Sequence, residues 1–268
     1  QGEVTRRDAE THRWTPAATR IPASILTDSQ RLTSLVEICG HTFYLPALGR
    51  DSIVIDLGAS TAAFSHGVHA LSGCQCHCVE AAKRNFHAIT ETAHVHKYLA
   101  AMGGTDGPVV LNIVDDEFHW GSLNASLGFD VTERQGVPGR SLSSLFAALS
   151  VDTVDLLKVD IEGAEIELFD AADDETLRRC LQMTIEFHDF MDPDQAVNVK
   201  RQLDRFESLG FDCVAMTRRH HGDVWVVNRA ALGLNSAELF YYRTALKYGR
   251  GVSRILHQTF RRKIDSAA

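Results

Sequence analysis

Short apolar segments alternate with helical segments along most of the chain, and this alternation limits the fold more than any other feature. The run S-I-V-I-D-L-G at 52–58 is apolar and ends in glycine, which predicts a buried strand. Further strands are predicted at 74–80, 97–102, 109–114, 154–159, 183–188, 211–216 and 224–228, and helices at 61–71, 81–92, 142–149, 163–180 and 195–209. Such alternation predicts an α/β, Rossmann-like fold: a mostly parallel sheet with an antiparallel closing strand and helices on both faces.

The 268 residues suit one domain of this kind with an addition at each end. We predict an N-terminal extension and hairpin over 1–48, placed to cap the site, then the α/β domain over 49–230, then a basic helical tail over 231–268. In the tail, Leu239, Tyr242, Leu246, Ile255 and Phe260 form an apolar side opposite arginines and lysines. This pattern predicts a helix packed on the domain or on a second subunit, with a solvated basic face. Attraction to an anionic membrane surface or to a polyanionic acceptor is the alternative.

Composition narrows the function classes. A net charge of −8 argues against a nucleic-acid partner, because phosphate binding normally requires a basic surface. No apolar run reaches the length of a membrane span, and no signal-peptide core is visible, although the chain begins at Gln1. In C-Q-C-H-C at 74–78 the thiols alternate, which predicts buried core cysteines rather than a zinc site and a reduced, cytoplasmic setting.

Charged side chains lie where the predicted parallel strands end. Asp56 and Glu80 close the first two strands, and two further pairs, Asp160 with Glu162 and Glu186 with His188, close the fourth and fifth. In a parallel sheet these ends share one edge, where ligands bind. We therefore expect these charges, with Lys158, to face a cleft rather than the interior. Lys158 is expected to pair with Asp56 or Glu186, and Glu165 to be solvated or salt-bridged.

The first two strand ends predict a nucleoside cofactor. Glycine at position 58 allows close backbone approach, and Glu80, 22 residues later, is placed to accept ribose hydroxyls. A dinucleotide would require G-x-G-x-x-G, but Ser60 and Ala63 replace two of its glycines. S-adenosylmethionine has no phosphate, and its ammonium and sulfonium groups favour carboxylates such as Asp56. A strand-ending turn without a ligand remains the alternative at this point.

Two segments resemble the FkbM-type methyltransferases. I-V-I-D-L-G-A-S-T-A-A-F-S resembles their V-D-x-G-A-N-x-G-x-F-S motif, and D-L-L-K-V-D-I-E-G-A-E matches their D-L-L-K-I-D-V-E-G-A-E segment almost throughout. T-I-E-F-H and E-S-L-G-F-D extend the resemblance over residues 43–228. It implies a class I methyltransferase fold, S-adenosylmethionine as donor, and O-methylation of a hydroxyl on a sugar, glycolipid or polyketide-type product. By position, it assigns the methionine end to Asp56, Gly58, Ala59, Ser60 and Phe64, the ribose to Glu80, and the adenine to Ala101 and Met102.

The sequence departs from the family pattern at three places. Ser60 replaces the asparagine, Ala62 replaces the second glycine, and Ala81-Ala82 follows Glu80 where the family has proline and asparagine. These changes leave an inactive family member as an alternative.

Methyl transfer to a hydroxyl requires an aligned acceptor and a base or a metal ion. Asp160 is the first candidate base and His188 the second. The sequence does not require a divalent metal, but Asp160, Glu186 and His188 provide ligands for one. Two other classes of function stay open: a nicotinamide-dependent oxidoreductase on a Rossmann sheet, and a non-catalytic binding protein with the same fold.

Overall fold

The computed structural model describes residues 34–114, 121–123, 131–217 and 220–246. Its strands are β1 Leu35–Ile38, β2 His41–Tyr44, β3 Ile53–Leu57, β4 Gln75–Glu80, β5 Val95–Leu99, β6 Ala101–Met102, β7 Gly107–Val114, β8 Gly121–Ser122, β9 Val131–Arg140, β10 Leu156–Val159, β11 Gln182–Ile185, β12 Asp212–Ala215 and β13 Val224–Val227. Its α-helices are α1 Ala63–Ser72, α2 Lys83–Ala88, α3 Leu142–Leu149, α4 Glu165–Ala171, α5 Asp174–Arg178, α6 Ala196–Ser208, α7 Arg229–Leu232 and α8 Ser236–Tyr241.

A seven-stranded sheet in the order β12-β13-β11-β10-β3-β4-β5 forms the centre of the molecule. Strands β3, β4, β5, β10 and β11 run parallel, and β13 is antiparallel to both of its neighbours. The chain leaves β3 toward β4 on one side and later returns to its other side as β10. This is the Rossmann-like class I methyltransferase fold, and it confirms the predicted fold class. The reversal of strand order between β3 and β10 creates the crevice where such sheets bind ligands.

Both faces of the sheet are covered. On one face, α3, α4 and α6 bury apolar residues such as Phe146, Phe169 and Phe206 against the strands. On the other, α1 and β2 contribute Phe64 and Phe43 to a cluster that includes the three alternating thiols of β4. Those thiols are fully buried, as the alternation predicted.

The hairpin β1-β2 is fixed to the sheet by buried hydrogen bonds. The Thr42 backbone N–H and hydroxyl donate to the two carboxylate oxygens of Asp223, at 3.1 and 2.7 Å. The backbone N–H of Tyr44 donates to Gln182 Oε1 at 2.9 Å, and Gln182 Nε2 donates back to the Tyr44 carbonyl at 3.1 Å. All four residues of β2 are buried. The hairpin is therefore packed into the domain, while the predicted cap over residues 1–33 lies outside the described residues.

A second sheet, in the order β6-β9-β7-β8, was not predicted as a unit. The sequence predicted one strand over 97–102, but the structure ends β5 at Leu99 and places β6 in this second sheet. Of the paired strands β7 and β9, only β7 was predicted. Strand β9 was missed because it begins with four exposed residues and contains two glycines and a proline. The predicted helix over 163–180 is two short helices, α4 and α5.

The described part of the C-terminal segment packs on the domain, which was one of the two packing arrangements expected. Tyr242 is fully buried, and its ring lies 5.8 Å from that of Trp225 and 6.5 Å from that of Tyr44. Arg243, counted on the basic side of the tail, pairs with Asp212 at 3.3 Å. The predicted tail beyond residue 246, including Ile255 and Phe260, lies outside the described residues. Among the described helices, none is both long and apolar enough to cross a membrane.

Candidate active site

The carboxyl ends of β3 and β10 approach each other so closely that only glycine fits between them. Gly58 has a φ of +74°, and a Cβ built on it would lie 1.7 Å from the backbone oxygen of Asp160. The Gly58 N–H donates to the Val79 carbonyl at 3.0 Å, which ties the same turn to β4. Three strand ends therefore converge at this point, as the sequence predicted.

Lys158 joins two of these strand ends from inside the protein. In the strand register it lies beside Asp56, and its Nζ is 3.2 Å from Asp56 Oδ1 and 3.3 Å from Asp160 Oδ2. It also donates to the Gly58 carbonyl at 2.7 Å. Burial disfavours the charge, but Asp56 and Asp160 outweigh it and hold the pKa of Lys158 above its ordinary value. The predicted pairing of Lys158 with Asp56 is correct, but the expectation that Lys158 faces the cleft is wrong, because the side chain is buried.

Asp160 receives contacts on both of its carboxylate oxygens. Lys158 and His41 Nε2 lie 3.3 and 3.4 Å from Oδ2, and His188 Nε2 lies 3.7 Å from Oδ1. Burial alone would raise the pKa of Asp160, but Lys158 first and then the two histidines hold it well below its ordinary value. The side chain keeps 23% of its exposure, so an ionised carboxylate faces the crevice.

His188 is held between two glutamates. Its Nδ1 lies 3.0 Å from Glu165 Oε1 and its Nε2 lies 3.2 Å from Glu162 Oε2. Burial opposes the charge, but the hydrogen bonds to Glu162 and Glu165 raise the pKa of His188 to about 11. His188 is therefore a cation at neutral pH and has no free lone pair with which to act as a base. This argues against its predicted role as second candidate base.

Glu165 organises the turn after β10. The Ile161 and Gly163 backbone N–H groups both donate to Glu165 Oε1 at 3.1 Å, and the side chain is only 2% exposed. Of the two expectations for this residue, the salt bridge is correct and solvation is wrong. The turn that it closes carries Glu162 at a left-handed φ of 54°.

Glu80 lies at the end of β4 and accepts two backbone hydrogen bonds. Ser60 N donates to Oε2 and Ala82 N to Oε1, each at 2.7 Å. Burial raises the pKa of Glu80 to about 7, although these two bonds oppose the shift. A carboxylate oxygen can accept more than one hydrogen bond, so both oxygens retain capacity for a ligand hydroxyl.

A cavity of about 270 Å³ lies over these strand ends. Six of the predicted site residues line it: Gly58, Ser60, Glu80, Ala101, Met102 and Asp160. Other described residues, such as Ile161 and Leu111, complete the lining. The structure thus brings the predicted ribose and adenine residues together with Asp160, whereas the other two predicted catalytic residues, Glu186 and His188, do not line this cavity.

Three predicted cofactor residues do not reach this cavity. Asp56 is fully buried, with Oδ2 accepting from Ser65 Oγ at 2.8 Å and Oδ1 beside Lys158, so its side chain is not available for direct contact with a cofactor. Ala59 and Phe64 are also buried and pack in the cluster between α1 and the sheet. We correct their predicted role to support of the turn at 58–62.

The sequence interpretation missed His41. This residue lies in β2, more than 100 positions before Asp160, and its side chain is 1% exposed. Its ring packs edge-on against that of Phe64, with the centroids 5.6 Å apart. Nothing in H-T-F-Y indicates this contact, because it depends on how the hairpin docks.

The three predicted metal ligands, Asp160, Glu186 and His188, are divided between two clusters, each of which includes one residue that was not predicted as a ligand. His41, Asp160 and Glu186 form one, and Asp160, Glu162 and His188 form the other, each with ligand atoms within 4.8 Å of one another. Lys158 and the His188 cation already neutralise carboxylates in this cluster. The geometry therefore gives no support to a metal requirement. For Glu186, burial and then the charge of Asp160 raise the pKa.

The strand order and the crevice between β3 and β10 are those of the class I methyltransferase fold. A family model described as "Methyltransferase FkbM domain" matches residues 56–213, more than half of the chain. The protein belongs to the FkbM methyltransferase family, as its motifs predicted.

Several solved structures are similar to this chain. Aeropyrum pernix fibrillarin, in complex with natively bound S-adenosyl-L-methionine, shares 14% identity over 68% of this chain and 67% of its own, with a TM-score of 0.40. Precorrin-6y C5,15-methyltransferase from Geobacter metallireducens shares 14% identity over 67% and 80%, with a TM-score of 0.35. The Methanococcus jannaschii fibrillarin pre-rRNA processing protein shares 16% identity over 67% of each chain, with a TM-score of 0.40. No curated protein matches the sequence.

Proposed function

We propose that this methyltransferase acts on a hydroxyl oxygen of a sugar, a glycolipid or a polyketide-type natural product. The observation that carries the proposal is Asp160: a carboxylate that stays ionised, in the wall of the cavity, next to the glycine turn. A carboxylate accepts hydrogen bonds and donates none, so it selects an acceptor group that carries a hydrogen. A saccharide acceptor, the absence of a nucleic-acid partner and a cytoplasmic location are parts of this proposal.

The residues present fit the cofactor. Glu80 would accept the ribose hydroxyls, and the apolar walls formed by Ala101, Met102 and Leu111 would enclose the adenine. The small residues Gly58 and Ser60 leave room for the methionine end. When bound, S-adenosylmethionine supplies an electrophilic methyl group on its sulfonium.

The two carboxylates suit different parts of the chemistry. Asp160 orients the acceptor hydroxyl by accepting its hydrogen bond, but its lowered pKa makes it a weak proton acceptor. Glu186, whose pKa is raised, is better matched to hold the proton that the hydroxyl loses. One carboxylate oxygen of Asp160, one of Glu186 and a ring nitrogen of His41 lie within 4.8 Å of one another. A proton that leaves the hydroxyl beside Asp160 would therefore have a short distance to cover to Glu186. This revises the predicted order of bases, in which Asp160 came first.

An exposed aromatic ring supports a sugar-like acceptor. Phe190 is 46% exposed, and its ring centroid lies 5.3 Å from that of His188 and 5.4 Å from that of His220. A flat apolar surface beside carboxylates suits a ring that presents C–H groups on its face and hydroxyls at its edge.

The experiment uses S-adenosylmethionine carrying a deuterated methyl group, incubated with the protein and separate pools of oligosaccharides, glycolipids and polyketides from the source organism. We expect labelled methyl ethers, identified by mass spectrometry and by methoxy signals in NMR, and by resistance to the alkali that cleaves methyl esters. Label on nitrogen or carbon would contradict the hydroxyl acceptor. Calorimetry with S-adenosylmethionine and NAD in parallel checks the cofactor independently of the acceptor.

A further inference from the structure

We infer that His41, supplied by the N-terminal hairpin, is a positioning residue for methyl transfer: it fixes the Asp160 carboxylate in the orientation in which it meets the acceptor. This inference rests on the proposed function and adds the hairpin to the site. The residue lies outside the segment matched by the family model, which begins at position 56.

The first argument is geometric. Asp160 follows β10 in a turn, and its side chain is partly exposed, so the strand alone does not fix its rotamer. His188 approaches Oδ1, whereas His41 and Lys158 approach Oδ2. Lys158 comes from the strand that carries Asp160, and His41 comes from a separate element. The contact with His41 therefore fixes the carboxylate relative to the rest of the domain.

The second argument is that His41 is poorly placed for a purely structural role. Its ring is almost completely buried, and within the described residues its Nδ1 has no hydrogen-bond partner. A buried polar atom without a partner opposes folding. An apolar side chain of similar size would fill this space against Phe64 at lower cost. A residue that lowers stability while holding an active-site acid is typical of a functional constraint.

The third argument is that the hairpin is anchored independently of His41. Thr42, the next residue, makes two hydrogen bonds to Asp223, and Tyr44 exchanges two with Gln182. Removing the imidazole therefore leaves the strand in place. These anchors hold the backbone of β2, so the position of the ring relative to Asp160 is set by the hairpin.

The test compares three variants of the full chain. His41→Leu removes the contact with Asp160, His41→Gln restores an N–H donor at similar reach, and Thr42→Val removes a hairpin anchor without touching Asp160. Each is measured for its melting temperature, for S-adenosylmethionine affinity by calorimetry, and for transfer of the deuterated methyl group in the acceptor pool that the wild type labels.

We expect His41→Leu to melt at or above the wild-type temperature, to bind S-adenosylmethionine within about twofold, and to transfer methyl about 10- to 100-fold more slowly. His41→Gln should regain most of the rate. Thr42→Val should melt lower, because Asp223 loses the buried hydroxyl. It should keep its rate per folded molecule, because the Thr42 N–H bond to Asp223 and the two bonds between Tyr44 and Gln182 still hold β2.

Three outcomes would overturn the inference: an unchanged rate in His41→Leu, an equal loss of rate in Thr42→Val, or no recovery in His41→Gln. If the wild type binds S-adenosylmethionine but labels no hydroxyl, the proposed function fails by itself. The same three rate comparisons, made on whichever acceptor group the wild type does label, still test the role of His41 in that case.

Discussion

Asp160 receives its contacts from three separate segments of the chain, and these contacts keep it ionised. Asp160→Asn preserves the size of the side chain but removes the charge, so the proposed acceptor hydroxyl keeps only a weaker, neutral amide oxygen as its hydrogen-bond acceptor. We expect methyl transfer to fall by about 10²-fold, through loss of orientation, while the S-adenosylmethionine dissociation constant changes little. Steady-state rates and calorimetry measure the two quantities. Asp152→Asn, at a fully exposed aspartate, is the matched control. A loss of affinity without a loss of rate would show that Asp160 holds the cofactor instead.

Glu80 gives the cofactor site a pH dependence near neutrality. Burial raises its pKa to about 7, so the protonated form dominates below that pH and the carboxylate above it. Ribose hydroxyls donate more strongly to the carboxylate, and binding therefore favours the form present at higher pH. We expect S-adenosylmethionine affinity to rise by about tenfold from about pH 6 to about pH 8. In Glu80→Gln, calorimetry should show weaker binding with a flat pH profile. A wild-type profile that is already flat would contradict this assignment.

Ser60 occupies a backbone conformation that suits asparagine better. Its φ is 48°, in the left-handed region where asparagine is several-fold enriched over most other side chains. The resemblance identified asparagine as the usual family residue at this position, and the structure gives the physical reason. We expect Ser60→Asn to raise the free energy of unfolding by about 0.5–1 kcal/mol in the absence of cofactor. Urea denaturation measures it. A decrease would show that the Ser60 hydroxyl makes a contact that this explanation leaves out.

Among the elements, the turn after β3 depends most strictly on one residue. Gly58→Ala adds a methyl group where the Asp160 carbonyl already lies, at a positive φ. We expect a loss of about 2–5 kcal/mol of stability, the sum of backbone strain and overpacking. Gly210→Ala is the matched control, because it has a φ of +92° and open space around its Cβ, and should show only the strain, about 1–2 kcal/mol. Equal losses in the two variants would mean that β3 and β10 separate easily.

The elements with strong local patterns were predictable, and those defined by docking were not. Strands β3, β4, β10 and β11 are apolar runs with charged ends, so the sequence placed their carboxyl ends at one edge. The pairing of Lys158 with Asp56 was foreseen because strand ends are neighbours in a parallel sheet. The burial of Asp56 was not foreseen, because the same sequence pattern is expected for a strand-end carboxylate that is buried with a partner and for one that faces a cleft. His41 was missed for a related reason: its partner is distant in sequence, and only the hairpin anchors bring the two together.

On the scale of the whole molecule, residues 236–246 form part of the folded core. Leu239 and Tyr242 belong to the core cluster that contains Trp225 and Tyr44. We expect removal of residues 236–268 to lower the free energy of unfolding by at least about 3 kcal/mol, because that cluster loses two buried side chains. Removal of 247–268 keeps both of these side chains and should therefore lower stability less than the longer deletion does. Thermal melting and calorimetry on the two truncated chains provide the comparison. Equal stability of the two would show that residues 236–246 contribute no packing energy.

Lys158 connects the proposed positions of the two substrates from inside the protein. The same ammonium group donates to the Gly58 carbonyl in the cofactor turn and lies against Asp160, where the acceptor is proposed to bind. A ligand that shifts the Gly58 carbonyl or the Asp160 carboxylate changes the strength of the contact between the Lys158 ammonium group and the other of these two groups. We therefore expect donor and acceptor to bind cooperatively, and thermodynamic linkage requires any such cooperativity to be reciprocal. The acceptor changes the affinity for S-adenosylmethionine by the same factor by which S-adenosylmethionine changes the affinity for the acceptor. The same measurement with S-adenosylhomocysteine, which lacks the methyl group, gives the part of this coupling that does not depend on the methyl group.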